Sequence, residues 1–133
     1  MKAFLFLEHK FYKKDNKIYA EKIVNYQYIE KYVSVFDEVC ICARCNCQAQ
    51  DIYMDPIELD EKVSFWGLPN CDSLGLIINY YSIRKEILQI INDGDVAIFR
   101  APSSISYVLY NSIKSKNVPI AVELVADAEV FFY

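Results

Sequence analysis

A chain of 133 residues with 54% hydrophobic and 15% aromatic side chains carries enough apolar material for one ordinary domain core, which excludes a disordered chain. A net charge of -4 excludes broad electrostatic attraction to nucleic acid. No apolar run approaches the ~20 residues that span a bilayer, and the opening apolar stretch 1–7 is cut short by Glu8, His9 and Lys10 before it could act as a secretory signal, so the cytoplasm is the expected compartment.

In chain order, 2–7 reads as a first buried strand and 8–17 as a polar loop. Tyr19, Ile23, Tyr26, Ile29, Val33 and Phe36 recur at helical spacing and predict a first helix, stopped by Asp37 and Glu38. Residues 39–43 predict a second strand, 46–60 a polar surface excursion, and 62–66 a third strand ending at Gly67, Leu68 and Pro69. Leu74, Ile77, Ile78, Tyr81, Ile87 and Ile91 form the next helical stripe, with Asn92, Asp93 and Gly94 as its stop.

Residues 95–127 then spell out one βαβ unit. The short, mostly unbroken apolar runs 96–101 and 120–125 have the pattern of parallel strands covered on both faces. Between them, Pro102, Ser103 and Ser104 supply a turn and an N-cap, Ile105, Val108, Leu109 and Ile113 mark a helix, and Lys114 and Lys116 suit its C-terminal dipole. Five strands and three main helices give an α/β fold: a Rossmann-like three-layer sandwich with a mostly parallel sheet of order 3-2-1-4-5, one domain over 1–133. Ligands in such sheets sit beyond the carboxyl ends of the strands, where Arg100, Ser103, Ser104 and Asp127 fall. With three glycines in the chain and none after the first strand, neither a dinucleotide fingerprint nor a phosphate loop is present, and no cofactor is expected.

Charge is unevenly spread. Residues 1–32 hold seven lysines against four carboxylates, a surplus of +3, while the remainder carries -7. The stretch with Phe11, Tyr12, Lys13, Lys14, Lys17 and Tyr19 has two readings, a solvated loop of mixed charge or a peripheral contact with an anionic membrane at its cytoplasmic face. The five cysteines are Cys40, Cys42, Cys45, Cys47 and Cys71, an odd count that suits free thiols in a reducing compartment. C-x-C-x2-C-x-C has the look of a zinc site, but Cys40 and Cys42 share one strand face and read first as small core hydrophobes.

The segment Ile98-Phe99-Arg100-Ala101-Pro102-Ser103, followed by a helix and by Val118-Pro119-Ile120-Ala121-Val122-Glu123-Leu124-Val125-Ala126-Asp127, resembles the N-terminal half of retaining, family 4-like glycosyltransferases of the two-domain GT-B class. Glu8-His9-Lys10-Phe11-Tyr12 before a tyrosine-rich helix, and Phe36-Asp37-Glu38-Val39 leading into a strand that ends at Ala43-Arg44, are similar to bacterial members used in polysaccharide assembly. The resemblance implies an acceptor-binding domain for a sugar or lipid-linked acceptor, with the nucleotide-sugar donor held by a C-terminal domain for which 133 residues leave no room. It therefore implies a truncated or degenerate product, inactive without that domain, with an apolar patch including Val130, Phe131 and Phe132 that favours self-association.

On the same resemblance Asp127 is the candidate catalytic residue, orienting the acceptor hydroxyl or stabilising positive charge on the sugar. A strand-end aspartate also serves as a helix cap. Arg100, with Ser103 and Ser104 at a helix N-terminus, would hold a phosphate or carboxylate, or else Arg100 forms a surface salt bridge. His9 stands at the same sheet edge and could donate to a phosphate or sugar hydroxyl. Two rival classes remain: a standalone flavodoxin-like ligand-binding module, and a zinc or redox module built on the cysteine cluster.

Overall fold

The computed structural model describes residues 1–8, 11–15, 17–20, 26–46, 61–69, 73–101 and 103–124. In chain order the elements are β1 (Lys2–Phe6), β2 (Phe11–Lys14), β3 (Lys17–Ala20), α1 (Tyr26–Val33), β4 (Glu38–Asn46), β5 (Val63–Leu68), α2 (Ser73–Ile78), α3 (Tyr80–Ile90), β6 (Val96–Ala101), α4 (Ser104–Lys114) and β7 (Ile120–Leu124). The protein is mixed α/β with a mostly parallel seven-stranded sheet and four helices among these residues.

Five strands pair in parallel in the order β5-β4-β1-β6-β7, which is the expected 3-2-1-4-5. β1 is central because it is apolar at every position from Ala3 to Leu7, so it can be covered on both faces. Its alternation sorts the core into two clusters. Phe4 and Phe6 join Cys40, Cys42, Ala97 and Phe99 under Leu76 of α2, Ile83 and Ile87 of α3, and Ile105, Leu109 and Ile113 of α4. Ala3, Leu5 and Leu7 join Val39, Ile41, Ala43 and Ile98 under Ile29 of α1. Helices thus cover both faces, and each fully buried Phe contributes roughly 2 kcal/mol of transfer free energy.

The first loop departs from expectation. Residues 11–14 and 17–20 form an antiparallel hairpin, with Asp15 at the turn in the left-handed region at φ 52. Phe11 and Ile18 anchor it in the core, and β2 continues the sheet by pairing in parallel with the end of β4 at Cys45 and Asn46. Tyr19 consequently lies in a strand, and the described part of the first helix runs only from Tyr26 to Val33. The second expected helix is two: the chain breaks at Asn79, whose side chain donates to Gly75 O at 2.8 Å while its own carbonyl accepts from Ile83 N at 3.0 Å. These changes raise the count from the five strands and three helices read in the sequence to seven and four among the described residues.

The elements of the βαβ unit fall where the sequence places them, but β7 is not covered on both faces as expected: it pairs with β6, and Ala121, Val122 and Leu124 are exposed. Ser103 caps α4 by accepting from Ser106 N, and Lys116 donates to Leu88 O and Ile91 O, both at 2.6 Å, closing the C-terminal end of α3 from a neighbouring segment. Cys40 and Cys42 line the core with their sulfurs 4.0 Å apart, while strand alternation turns Cys45 to the opposite face, so the three cannot share one ion. His9, Cys47, Cys71, Pro102, Asp127, Val130, Phe131 and Phe132 lie outside the described residues. No helix among the described residues is long and apolar enough to cross a membrane.

Candidate functional site

The carboxyl edge of the parallel strands gathers polar side chains on both sides of the sheet. On the α4 side, Glu8, two positions after β1, accepts from Arg44 Nη1 at 2.6 Å through Oε1. Its Oε2 accepts from Ser103 Oγ at 2.7 Å and from Ile105 N at 3.3 Å. Burial pushes the Glu8 carboxyl up, but the bonds from Arg44, Ser103 and Ile105 outweigh it and hold the group below its ordinary 4.5. The N-terminus of α4, the kind of place where an anion binds, therefore already holds a carboxylate of its own chain.

On the α1 side stands Arg100. Its guanidinium lies 4.3 Å over the ring of Tyr28. Its buried Nε and Nη1 meet no hydrogen-bond acceptor among the described residues. The natural partner would be Glu123, which faces Arg100 across the β6–β7 register. Glu123 is engaged elsewhere. It accepts from Tyr28 Oη at 3.2 Å, from Lys31 Nζ at 3.0 Å and from Tyr32 Oη.

This clamp fixes the protonation states. Burial raises the Glu123 carboxyl, yet the bonds from Tyr32, Lys31 and Tyr28 hold it below its ordinary 4.5. Burial lifts the Tyr28 phenol to about 12. Burial and the bond to Glu123 lift Tyr32 further. At neutral pH the Glu123 carboxyl is therefore ionised and both phenols keep their protons, and Arg100 is the member whose Nε and Nη1 meet no acceptor among the described residues.

Ser103 and Ser104 sit at the start of α4 and Arg100 at the end of β6, but they do not converge into one cradle. Arg100 packs toward α1, whereas Ser103 is held between Glu8 and Ser106 on the α4 side. There a groove of about 340 Å³ is lined by Phe99, Ser103, Ser106, Tyr107, Tyr110 and Val122. A second, of about 450 Å³, runs between Tyr80, Tyr81 and Tyr107 and shares Asn111 with the first. No group of three or more His, Cys, Asp or Glu side chains among the described residues is placed to hold a metal ion.

Sequence reasoning gave Glu123, Lys31 and Arg44 no site role, and read Tyr28 and Tyr32 as sugar-stacking or packing aromatics rather than as partners of a carboxylate. The signal for three of these was present in part: Tyr28 and Tyr32 stand one helical turn apart with Lys31 beside them on α1. No family model matches the chain, and neither a curated protein nor a solved structure matches it.

Proposed function

We propose that this chain is a Rossmann-like three-layer domain serving as the acceptor-side half of a GT-B, family 4-like glycosyltransferase. On this reading it binds a phosphorylated sugar or lipid-linked acceptor at the carboxyl edge of the sheet, and a separate C-terminal domain supplies the nucleotide-sugar donor. The observation that carries the reading is Arg100, a half-buried side chain whose buried Nε and Nη1 meet no acceptor among the described residues, at the edge where open parallel sheets bind ligands.

The surrounding residues suit that role. The planar fork matches a phosphate or carboxylate bidentately, and the Tyr28 ring holds its plane. Glu123 does not compete, because two phenols and Lys31 already satisfy it. Asp127, on the same reading, orients the acceptor hydroxyl. Fold alone would not assign this function, since parallel α/β sheets host many chemistries.

The test is calorimetric titration of the chain with sugar phosphates and polyprenyl-phosphate sugars, beside the same titration of Arg100→Ala and Arg100→Lys. Binding by the parent, a loss of at least ten-fold in Arg100→Ala and partial recovery in Arg100→Lys would support the reading. Equal binding by the parent and Arg100→Ala, or no binding of any phosphorylated sugar, would overturn it.

A further inference from the structure

Arg100 and Glu123 are partners in the parallel register of β6 and β7, so their side chains leave the same face of the sheet on strands about 4.8 Å apart. A guanidinium and a carboxylate so placed ordinarily pair, because a bond between two charged groups outranks one to a neutral phenol. Here the carboxylate turns to α1 instead. Its Oε2 accepts from Tyr28 Oη at 3.2 Å and from Tyr32 Oη, and its Oε1 accepts from Lys31 Nζ at 3.0 Å. Nε and Nη1 of Arg100 meet no acceptor among the described residues.

The phenols are the decisive part of this hold. In the ion pair with Lys31 the two side chains are 51% and 28% exposed, and pairs so open to water contribute little. The two rings are fixed independently of their hydroxyls. They meet edge to face with centroids 5.4 Å apart, Lys31 Nζ lies 4.7 and 4.9 Å over them, and the Arg100 guanidinium lies 4.3 Å over Tyr28. α1 thus holds two hydroxyls at fixed points, and both donate to Glu123.

We propose, resting on the reading of Arg100 as the group that takes a phosphate, that Glu123 is a competitor for Arg100 built into the fold and that Tyr28 and Tyr32 are positioning residues that hold it off. Glu123 then has two arrangements. Clamped by the phenols, it leaves the Arg100 donors open to an anion; paired with Arg100, it shuts the site. An incoming phosphate displaces nothing in the first arrangement and has to displace a carboxylate in the second. The affinity of the site is set from α1, by two hydroxyls that act through Glu123.

The experiment follows the Arg100 Nε–H resonance by heteronuclear NMR, assigned by its loss in Arg100→Lys, first without ligand and then through a titration with inorganic phosphate. Three proteins are compared: the parent, the Tyr28→Phe, Tyr32→Phe double variant, and the triple variant that adds Glu123→Gln. Phenylalanine keeps both rings and removes only the hydroxyls. Without ligand, the resonance of the double variant is expected to move downfield and to exchange more slowly with water, as a carboxylate takes the donor. Phosphate is expected to bind it about ten-fold more weakly than the parent. The triple variant is expected to recover the parental shift and at least the parental affinity, which simple damage by the tyrosine changes would not allow. An unmoved resonance in the double variant, or a triple variant that binds as weakly as the double, would overturn the proposal. Absence of phosphate binding in all three would overturn the acceptor reading, while the ligand-free resonance still decides whether Glu123 takes Arg100.

Discussion

Glu123 stands opposite Arg100 in the register of β6 and β7, yet it bonds to Tyr28, Lys31 and Tyr32, and the buried Nε and Nη1 of Arg100 meet no acceptor among the described residues. A buried donor without an acceptor costs about 1–3 kcal/mol, so this arrangement weakens the fold locally. Replacing Arg100 by Met, which keeps the apolar stem against Tyr28, is expected to leave stability unchanged or raise it by about 1 kcal/mol while abolishing sugar phosphate binding. Chemical denaturation beside calorimetry checks both. A large loss of stability would assign Arg100 to the architecture instead.

Glu8 ties the end of β1 to Arg44 and to the first turn of α4. Glu8→Ala removes a helix cap and an ion-pair partner of Arg44, and is expected to cost about 1–3 kcal/mol, toward the lower end because the carboxylate is partly exposed.

The same carboxylate makes stability depend on pH. Its folded value lies below the unfolded 4.5, so its contribution is present above 4.5 and disappears as pH falls through the folded value. Glu8→Gln is therefore expected to flatten the acid limb of the stability profile while leaving its alkaline limb alone. Urea midpoints measured across the acid range decide this, and parallel acid limbs would remove Glu8 from the account.

Tyr28 and Tyr32 give an opposite dependence. Their folded phenols titrate above the unfolded 10, Tyr28 at about 12, so the stability they confer is intact below pH 10 and is lost as pH rises toward 12. In ultraviolet titration, two of the eleven tyrosines are expected to resist ionisation until the protein unfolds. Tyr28→Phe with Tyr32→Phe should remove that late step. Smooth titration of all phenols near 10 would contradict the clamp.

Cys40 and Cys42 combine reactivity with inaccessibility. The hydrogen bond with Cys42 brings the Cys40 thiol down to about 7, while burial pushes Cys42 up, and the two residues are only 4% and 0% exposed. Labelling of both by a bulky disulfide reagent is expected to follow the unfolding equilibrium, slowing about ten-fold for each 1.4 kcal/mol of added stability. Rapid labelling of native Cys40 at neutral pH would mean that β4 and β5 part locally.

The βαβ unit was legible because its strands are mostly apolar runs and its helix carries both a cap and an apolar stripe. The hairpin was not, since Lys13, Lys14 and Lys17 look like loop composition and its strand character comes from pairing with β4, a tertiary effect that local propensity does not contain. Of the site, Arg100 and Ser103 could be placed at a strand end and a helix start from their neighbours alone. Their separation onto opposite faces follows from strand alternation, but the clamp that leaves Arg100 unmet joins residues 91 to 95 positions apart, beyond the reach of any local pattern.

β4 borders β1 along one stretch, β5 along an overlapping one, and β2 at its far end. A strand with that many neighbours cannot release its amides to solvent unless several ladders open together, whereas the β2–β3 hairpin is tied by one short ladder to the end of β4 and by Phe11 and Ile18 in the core. Hydrogen exchange should consequently be slowest along the middle of β4 and fastest in the hairpin. The described strands so divide into a persistent centre and a hairpin whose opening leaves the ladders of β4 with β1 and β5 in place.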